Sequence, residues 1–105
     1  MSGTRGEVWF AQLDPTIGSE IKKDRPCLIV QPSDMDRLQT TIVVPMTSRG
    51  FAAPYRVATS FGASKYVACD QIRSIDRSRL RRYAGRMDDV ELELVLRTLQ
   101  AIFTT

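Results

Sequence analysis

Short apolar segments alternate with turn residues through the first 87 residues of the chain. Val8 and Phe10 alternate with polar or large neighbours, and segment 40–46 is rich in β-branched residues, both typical of strands. Pro45 indicates a bulge or an end within that segment, because proline cannot donate a hydrogen bond to a neighbouring strand. We predict strands at 7–13, 26–30, 40–46, 55–58 and 66–72, and a weaker one at 80–87.

The last part of the chain changes to a helical period. Asp88 is suited to begin the helix as its N-cap, with Glu91 at the spacing of a capping box. Leu94 falls outside the apolar stripe and suggests contact with a second subunit. The stripe, at offsets of three and four, consists of Leu92, Val95, Leu96, Leu99, Ile102 and Phe103.

These elements predict an α+β fold that is mainly β. Five or six short strands and one C-terminal helix are typical of a small, strongly bent, SH3-like barrel with the helix packed on it. The length of 105 residues, 43% hydrophobic and 26% charged, predicts a single domain over 1–105. The apolar runs are too short for a membrane span, and the N-terminus lacks a signal-peptide pattern, so we expect a cytoplasmic protein.

Charge and residue usage limit the kinds of reaction and binding site that the chain can support. Fifteen Lys and Arg against twelve Asp and Glu give a net charge of +3, and twelve of those fifteen cations are Arg. This skew suits phosphate binding, although coding bias would produce it equally well. The chain has no His, which excludes His-dependent triads and nearly every zinc site. Cys27 and Cys69 have no CxxC spacing and are expected to be small buried groups.

Three polar segments are candidates for a site. In the first, Gly18 and the Arg25-Pro26 pair frame a loop that is either a binding loop or a solvated hairpin connection. In the second, polar side chains follow a buried strand, as also occurs at an ordinary strand end. In the third, Asp70 and Gln71 must be paired or exposed, and for Asp70 a structural partner such as Arg25 or Arg5 is as good an explanation as a catalytic role. The candidate residues are Ser19, Glu20, Lys22, Lys23 and Arg25; Thr47, Ser48 and Arg49; and Asp70, Gln71 and Arg73.

RNA cleavage is compatible with these side chains. The ribose 2′-hydroxyl can attack the adjacent phosphate, so a protein need only move protons and stabilise negative charge. Arg25 is suited to gripping the phosphate, Thr47 to hydrogen-bonding it, and Glu20 or Asp70 to accepting the proton. A carboxylate-held Mg²⁺ is an alternative, but helix capping explains the pairs Asp34/Asp36 and Asp88/Asp89 better.

The chain resembles the MazF/PemK family of toxin endoribonucleases from Arg5 to Phe103. Each matching stretch alone is a weak signal, but five of them in the same order and spacing are highly specific. The stretches that carry the likeness are Arg5-Gly6-Glu7-Val8-Trp9, Asp14-Pro15-x-x-Gly18-Ser19-Glu20, Arg25-Pro26, Val44-Pro45-Met46-Thr47 and Asp70-Gln71-Ile72-Arg73-Ser74-Ile75-Asp76-x-x-Arg79-Leu80.

The resemblance implies the fold shared with the gyrase-poisoning CcdB toxins, a homodimer, and an acidic, partly disordered antitoxin that covers the RNA groove. It also implies cleavage of single-stranded mRNA without metal or cofactor, leaving 2′,3′-cyclic phosphate and 5′-hydroxyl ends. Arg25 and Thr47 look like the catalytic pair, Glu20 matches a glutamate tied to activity, and Asp70 and Gln71 look like substrate-pocket residues. We expect Ser19, Lys22, Lys23, Ser48, Arg49 and Arg73 to bind RNA, with base choice set by loops 16–23 and 49–63.

The sequence leaves two alternative functions open. A CcdB-like module that poisons gyrase needs a C-terminal tail with Trp and Gly, whereas the only Trp here is Trp9. A relative that binds RNA without cleaving it would show salt-dependent binding alone.

Overall fold

The computed structural model describes residues 3–105. Three three-residue 3₁₀ turns, Ser33–Met35, Cys69–Gln71 and Arg77–Arg79, interrupt the strands. The strands are β1 (Glu7–Gln12), β2 (Asp24–Ile29), β3 (Thr40–Thr47), β4 (Arg56–Ala58), β5 (Tyr66–Ala68), β6 (Arg73–Asp76) and β7 (Leu80–Arg86), and one helix follows, α1 (Asp89–Ile102).

The strands form one strongly bent antiparallel sheet with the order β4-β5-β3-β2-β1-β7, and β6 pairs with β3 beside this path. The two outer strands of that order, β4 and β7, are not paired with each other, so the sheet does not close into a barrel. Phe61, on the loop between β4 and β5, reaches β7: a Cβ placed on Gly85 would stand 3.1 Å from its ring. The mainly β architecture predicted from the sequence is therefore confirmed, with an open rather than closed sheet.

Both faces of the central strands are covered. The strands β1, β2 and β3 divide their side chains between two apolar clusters, which is why the second half of β2 and most of β3 are buried. The helix covers the first cluster, which includes Val8, Leu28, Val44, Val95 and Leu99. The second cluster contains Ala11, Leu13, Cys27, Ile29, Val43 and Ile75, with Ile21 of the β1–β2 loop packed against it.

Pro45 does not end β3, although an end there is one of the two outcomes predicted from the sequence, and the irregularity falls on the neighbouring segment. β3 pairs along one edge with β6 at 40–43 and with β5 at 46–47. The carbonyl of Thr47 accepts from Lys65 on this edge, and alternation along the strand points the Pro45 nitrogen to the same side. Because Pro45 has no N–H to offer, the chain opposite leaves the sheet as the turn Cys69–Gln71.

The predicted strand 66–72 is therefore wrong beyond Ala68. Asp70 and Gln71 lie on that 3₁₀ turn and not within a strand. The interruption frees both side chains from the alternation of a β-strand, so Gln71 can reach the β1–β2 loop, as described below.

The C-terminal helix begins as predicted: the Asp88 carboxylate accepts hydrogen bonds from the backbone N–H groups of Val90 and Glu91, both at 3.1 Å. Glu91 accepts a 2.6 Å hydrogen bond from the Thr59 hydroxyl rather than the bond from the Asp88 N–H that would complete a capping box. The buried stripe ends at Leu99, since Ile102 is 41% exposed and Phe103 70%. Leu94 is 53% exposed, on the outer face.

Among residues 3–105, no helix combines the length and apolar character that crossing a bilayer requires.

Candidate active site

The β1–β2 loop is fixed at its base by hydrogen bonds. Leu13 N–H donates to the Lys23 carbonyl at 3.1 Å, and the Asp14 carboxylate accepts from the Thr16 hydroxyl and from the Lys23 N–H. Arg79 Nη1 donates hydrogen bonds to the backbone carbonyls of Gln12 and Asp14. The loop predicted to carry function is therefore held at both ends rather than being a loose connection.

Two residues of the third polar segment hold the same loop. Gln71 Oε1 accepts a hydrogen bond from the Ile21 N–H at 3.3 Å. Arg73 Nη1 donates to the Leu13 carbonyl at 3.2 Å. The structure therefore brings the first and third predicted segments together, and these two side chains shape the loop.

Glu20 has a role inside the loop. Its Oε1 accepts a 2.6 Å hydrogen bond from the Ile17 N–H, closing the tight turn at residues 17–20, and the residue is exposed. Ser19, Lys22 and Lys23 are also exposed along this loop. The loop thus presents one carboxylate, one hydroxyl and two ammonium groups to solvent.

Arg25 and Thr47 lie at the same end of adjacent strands. The register of β2 with β3 pairs Ile29 with Val43 and Cys27 with Pro45, the last pair of the ladder, and continuing it by two residues brings Arg25 level with Thr47. Residues opposite each other in antiparallel strands share a face. Arg25 Nε donates to the Lys22 carbonyl at 3.1 Å, and the Thr47 hydroxyl accepts from the Arg49 N–H at 3.1 Å. The guanidinium and the hydroxyl of the predicted pair are therefore held where the strands meet the loops.

Arg73 contributes positive charge deeper on this face. It pairs with Val43, whose face it shares, and its charge reaches Cys27. Burial raises the pKa of the Cys27 thiol to about 12, and the Arg73 guanidinium partly opposes that rise. The thiol is buried and free, as the sequence predicted for both cysteines.

Asp70 has a different partner from those expected. Arg56 on β4 holds both carboxylate oxygens, with Nε to Oδ1 at 2.7 Å and Nη2 to Oδ2 at 3.0 Å. The Arg56 side chain is only 9% exposed and its guanidinium lies 5.1 Å from the centre of the Phe51 ring. The expected partners are occupied elsewhere, since Arg5 donates to the Val30 carbonyl and Arg25 to that of Lys22. The prediction of Arg25 or Arg5 is therefore wrong.

Sequence reasoning missed Arg56. The residue lies 14 positions before Asp70 on a strand of only three residues, and nothing local distinguishes it from other arginines. The only signal available is register: in the sheet Arg56 is opposite Ala68, two residues before Asp70. That register becomes known only once the strands are paired.

Many of the arginines bind backbone carbonyls. This group consists of Arg5, Arg25, Arg73, Arg77, Arg79 and Arg86. Five-donor guanidinium groups are well suited to satisfying carbonyls in loops that no ladder pairs. Binding of backbone carbonyls is therefore a third explanation for the excess of arginine, beside phosphate binding and coding bias.

The two carboxylate pairs considered as Mg²⁺ sites make different contacts in the structure. Asp88 caps the helix as expected. Asp36, expected as a cap, lies 3.9 Å from Arg77 instead, and the turn Ser33–Met35 has no side-chain cap. Within residues 3–105, no three carboxylate or thiol groups come close enough together to hold a metal ion.

Comparison with known proteins agrees with this geometry. A family profile described as "PemK-like, MazF-like toxin of type II toxin-antitoxin system" matches residues 4–103. The chain belongs to this family. It is 38% identical to endoribonuclease PemK of Escherichia coli over 108 aligned positions, covering 95% of this chain and 81% of PemK. It is 33% identical to endoribonuclease EndoA of Bacillus subtilis strain 168, covering 91% and 90%.

Solved structures share the fold. The crystal structure of MazF from Deinococcus radiodurans superposes with a TM-score of 0.83 at 26% identity, covering 94% of each chain. An endoribonuclease solved in complex with its cognate antitoxin, from a mycobacterial species, superposes with a TM-score of 0.80 at 21% identity, covering 95% and 93%. The bent sheet with a C-terminal helix is therefore the fold of MazF toxins.

Proposed function

We propose that this chain is a toxin endoribonuclease that cleaves single-stranded mRNA at short sequences and thereby stops translation and growth. The proposal takes residues 1–105 as one catalytic domain acting in the cytoplasm. Membership of the PemK-like family and the named activity of two relatives above 30% identity support it. The observation that carries it is the register of β2 with β3, which, continued two residues past Cys27 and Pro45, brings Arg25 level with Thr47 beside an exposed, basic loop.

The reaction follows from the groups available. The ribose 2′-hydroxyl attacks phosphorus, the new O2′–P bond forms, and the P–O5′ bond breaks, leaving a 2′,3′-cyclic phosphate and a 5′-hydroxyl. Arg25 hydrogen-bonds the phosphoryl oxygens and stabilises the charge that develops there, and Thr47 donates a hydrogen bond to the same phosphate. The 5′ oxygen takes its proton from solvent. No step in this scheme uses a metal or a cofactor.

Glu20 is the preferred proton acceptor for the 2′-hydroxyl. Both Asp70 oxygens already accept hydrogen bonds from Arg56, so protonating Asp70 would disrupt that ion pair. Glu20 is exposed on the β1–β2 loop, which leads into Arg25, and its Oε1 accepts the hydrogen bond from the Ile17 N–H. In this scheme Asp70 contributes indirectly, because its ion pair with Arg56 helps to hold the turn Cys69–Gln71.

The binding residues fall into two groups. Ser19, Lys22, Lys23, Ser48 and Arg49 are exposed and available to contact RNA directly. Gln71 and Arg73 act by holding the β1–β2 loop in place. Positive charge along this path binds the phosphate backbone, so affinity for RNA falls as salt increases.

Two protein partners belong to the proposal. An acidic antitoxin segment covers the basic path, in line with the antitoxin complex solved for the mycobacterial structural relative. The chain forms a homodimer, for which the exposed apolar side chains Val90 and Leu94 on the outer face of α1 are candidate contacts. Neither partner changes the chemistry assigned to Arg25 and Thr47.

The test is cleavage of a long single-stranded RNA in EDTA, with the cut sites and end groups mapped. We expect cleavage to survive chelation and to leave cyclic phosphate ends. Arg25→Ala and Thr47→Ala should each abolish it while the fold persists. Thr40→Ala and Arg37→Ala are matched controls, because both exposed residues lie near the other end of β3, about 23 Å away.

The outcomes separate the candidate functions. Full activity of Arg25→Ala would refute the assignment of the site. Salt-dependent RNA binding without any cleavage would indicate a binding relative instead. Gyrase poisoning is disfavoured because the sole tryptophan, Trp9, lies on β1, where its ring packs edge-on against Tyr83 at 5.7 Å.

A further inference from the structure

A cavity of about 370 Å³ opens at the end of the bent sheet. It is lined by the start of β2, the end of β3, interior residues of β1 and β7, and residues 61–64 of the β4–β5 loop. Its floor is apolar and includes Phe10, Met46 and Phe61. The open ends of bent sheets and barrels are common ligand sites, and this volume is at the small end of their range, about 300–1,000 Å³.

The cavity adjoins the proposed cleavage site. Alternation along β2 directs Asp24 and Pro26 towards the cavity, while Arg25 shares the opposite face with its pairing partner Ala11. Arg25 and Ser48 nevertheless form part of the cavity lining. Arg25 therefore takes part in both places: its strand face is that of the proposed cleavage site, and it also forms part of the cavity wall, so the cavity adjoins the group that would hold the phosphate.

The lining chemistry favours a nucleobase. The Arg82 guanidinium lies over the Phe10 ring, with its central carbon 4.2 Å from the ring centre, which forms a flat cationic stacking surface. Ser48 and Ser64 add hydroxyl groups that can bond the edge of a base. The Asp24 carboxylate repels phosphate but accepts hydrogen bonds from base amino groups. A base has π faces and polar edges, and single-stranded RNA is read by stacking and edge contacts of this kind.

We propose that this cavity binds one nucleobase next to the cleaved phosphate, with Phe10 and Arg82 as its stacking surface. The proposal rests on the proposed RNA cleavage and adds a specificity pocket to it. Neither residue was a candidate from the sequence, because Phe10 belongs to the first strand pattern and Arg82 is one of several arginines in β7.

Arg82 has a matched control in its neighbour. Arg81 and Arg82 are adjacent on β7, both are exposed, and each carries one positive charge. Only Arg82 stacks on Phe10 and lines the cavity. Arg82→Gln and Arg81→Gln therefore remove the same charge from the same strand, and differ in the stacking surface.

The probe is a single-stranded RNA methylated at every 2′ oxygen, which binds but cannot be cleaved because its attacking hydroxyl is blocked. Binding is followed by the fluorescence of Trp9, whose ring contacts Tyr83 at the cavity edge, and by the anisotropy of a label on the RNA. Loss of one base-stacking contact weakens binding by roughly tenfold or more. We expect that loss for Arg82→Gln and for Phe10→Leu, and less than about threefold for Arg81→Gln.

A cleavage profile provides the second measurement. On a long natural RNA, Arg82→Gln should change which bases flank the cut sites, and Arg81→Gln should leave that preference unchanged. Equal affinities and equal profiles for the two variants would overturn the pocket while leaving RNA cleavage intact. A wild-type protein that cleaves no RNA would instead refute the proposed function. Thermal unfolding of each variant excludes loss of fold as the cause.

Discussion

Replacing Arg56 with methionine removes the group that satisfies both oxygens of Asp70. Losing one member of a buried ion pair costs about 3–5 kcal/mol. The Arg56 side chain is 9% exposed, but that of Asp70 is 31% exposed, so water can replace part of the lost interaction. Methionine retains most of the apolar contact with Phe51. We therefore expect Arg56→Met to lower the free energy of unfolding by about 2 kcal/mol, the low side of that range.

The assay is urea and thermal unfolding of three variants in a double-mutant cycle. For a domain of this size, about 2 kcal/mol corresponds to a fall in melting temperature of roughly 10 °C. Asp70→Asn should also destabilise the protein, and adding it to Arg56→Met should cost little more, giving a coupling energy of about 1–2 kcal/mol. Arg97→Met is the control, because its pair with Glu93 is exposed at 72% and 61% and should contribute less than about 0.5 kcal/mol.

The same variants test the link to activity. Asp70 precedes Gln71, which holds the β1–β2 loop through the Ile21 N–H, so Arg56→Met should slow RNA cleavage at temperatures where the protein remains folded. Equal stability of Arg56→Met and Arg97→Met would refute the energetic reasoning. A destabilised Arg56→Met that cleaves at the wild-type rate would show that the turn Cys69–Gln71 does not position the site.

Four further predictions concern individual side chains. Glu20→Gln keeps an oxygen that can accept the loop hydrogen bond but cannot take a proton, so RNA binding should persist while the cleavage rate falls by roughly 10²–10⁴; an unchanged rate would place the proton acceptor elsewhere. Burial raises the pKa of Cys27 to about 12 and of Cys69 to about 11 from an ordinary 9.0, so a thiol reagent at pH 8 should label both only after unfolding. For the same reason these thiols favour folding below pH 9 and lose that contribution as pH rises through about 11 for Cys69 and about 12 for Cys27, which pH-dependent urea midpoints can measure. Asp88→Ala should cost about 1 kcal/mol through loss of the helix cap, and Asp89→Ala clearly less, as compared by urea unfolding.

Sequence patterns predicted the elements that depend on neighbouring residues. Period-two alternation and β-branched residues located six strands but missed β6, and the helix began after Asp88 because a cap involves groups only two and three positions away. The motif resemblance identified the family that the comparison later showed, because it rests on short stretches whose order along the chain is itself informative. The catalytic role of Arg25 and Thr47 remains a prediction, and the register of β2 with β3 is consistent with it.

Tertiary structure alone decided the contacts between distant parts of the chain. Asp70 binds Arg56 and not Arg25 or Arg5, and Gln71 and Arg73 hold the β1–β2 loop. Pro45 disturbs the segment opposite it rather than its own strand. The physical reason is that register determines these neighbours: a local pattern specifies that a segment is a strand and which faces it has, whereas its partner, and therefore what each polar side chain meets, depends on the pairing of the whole sheet.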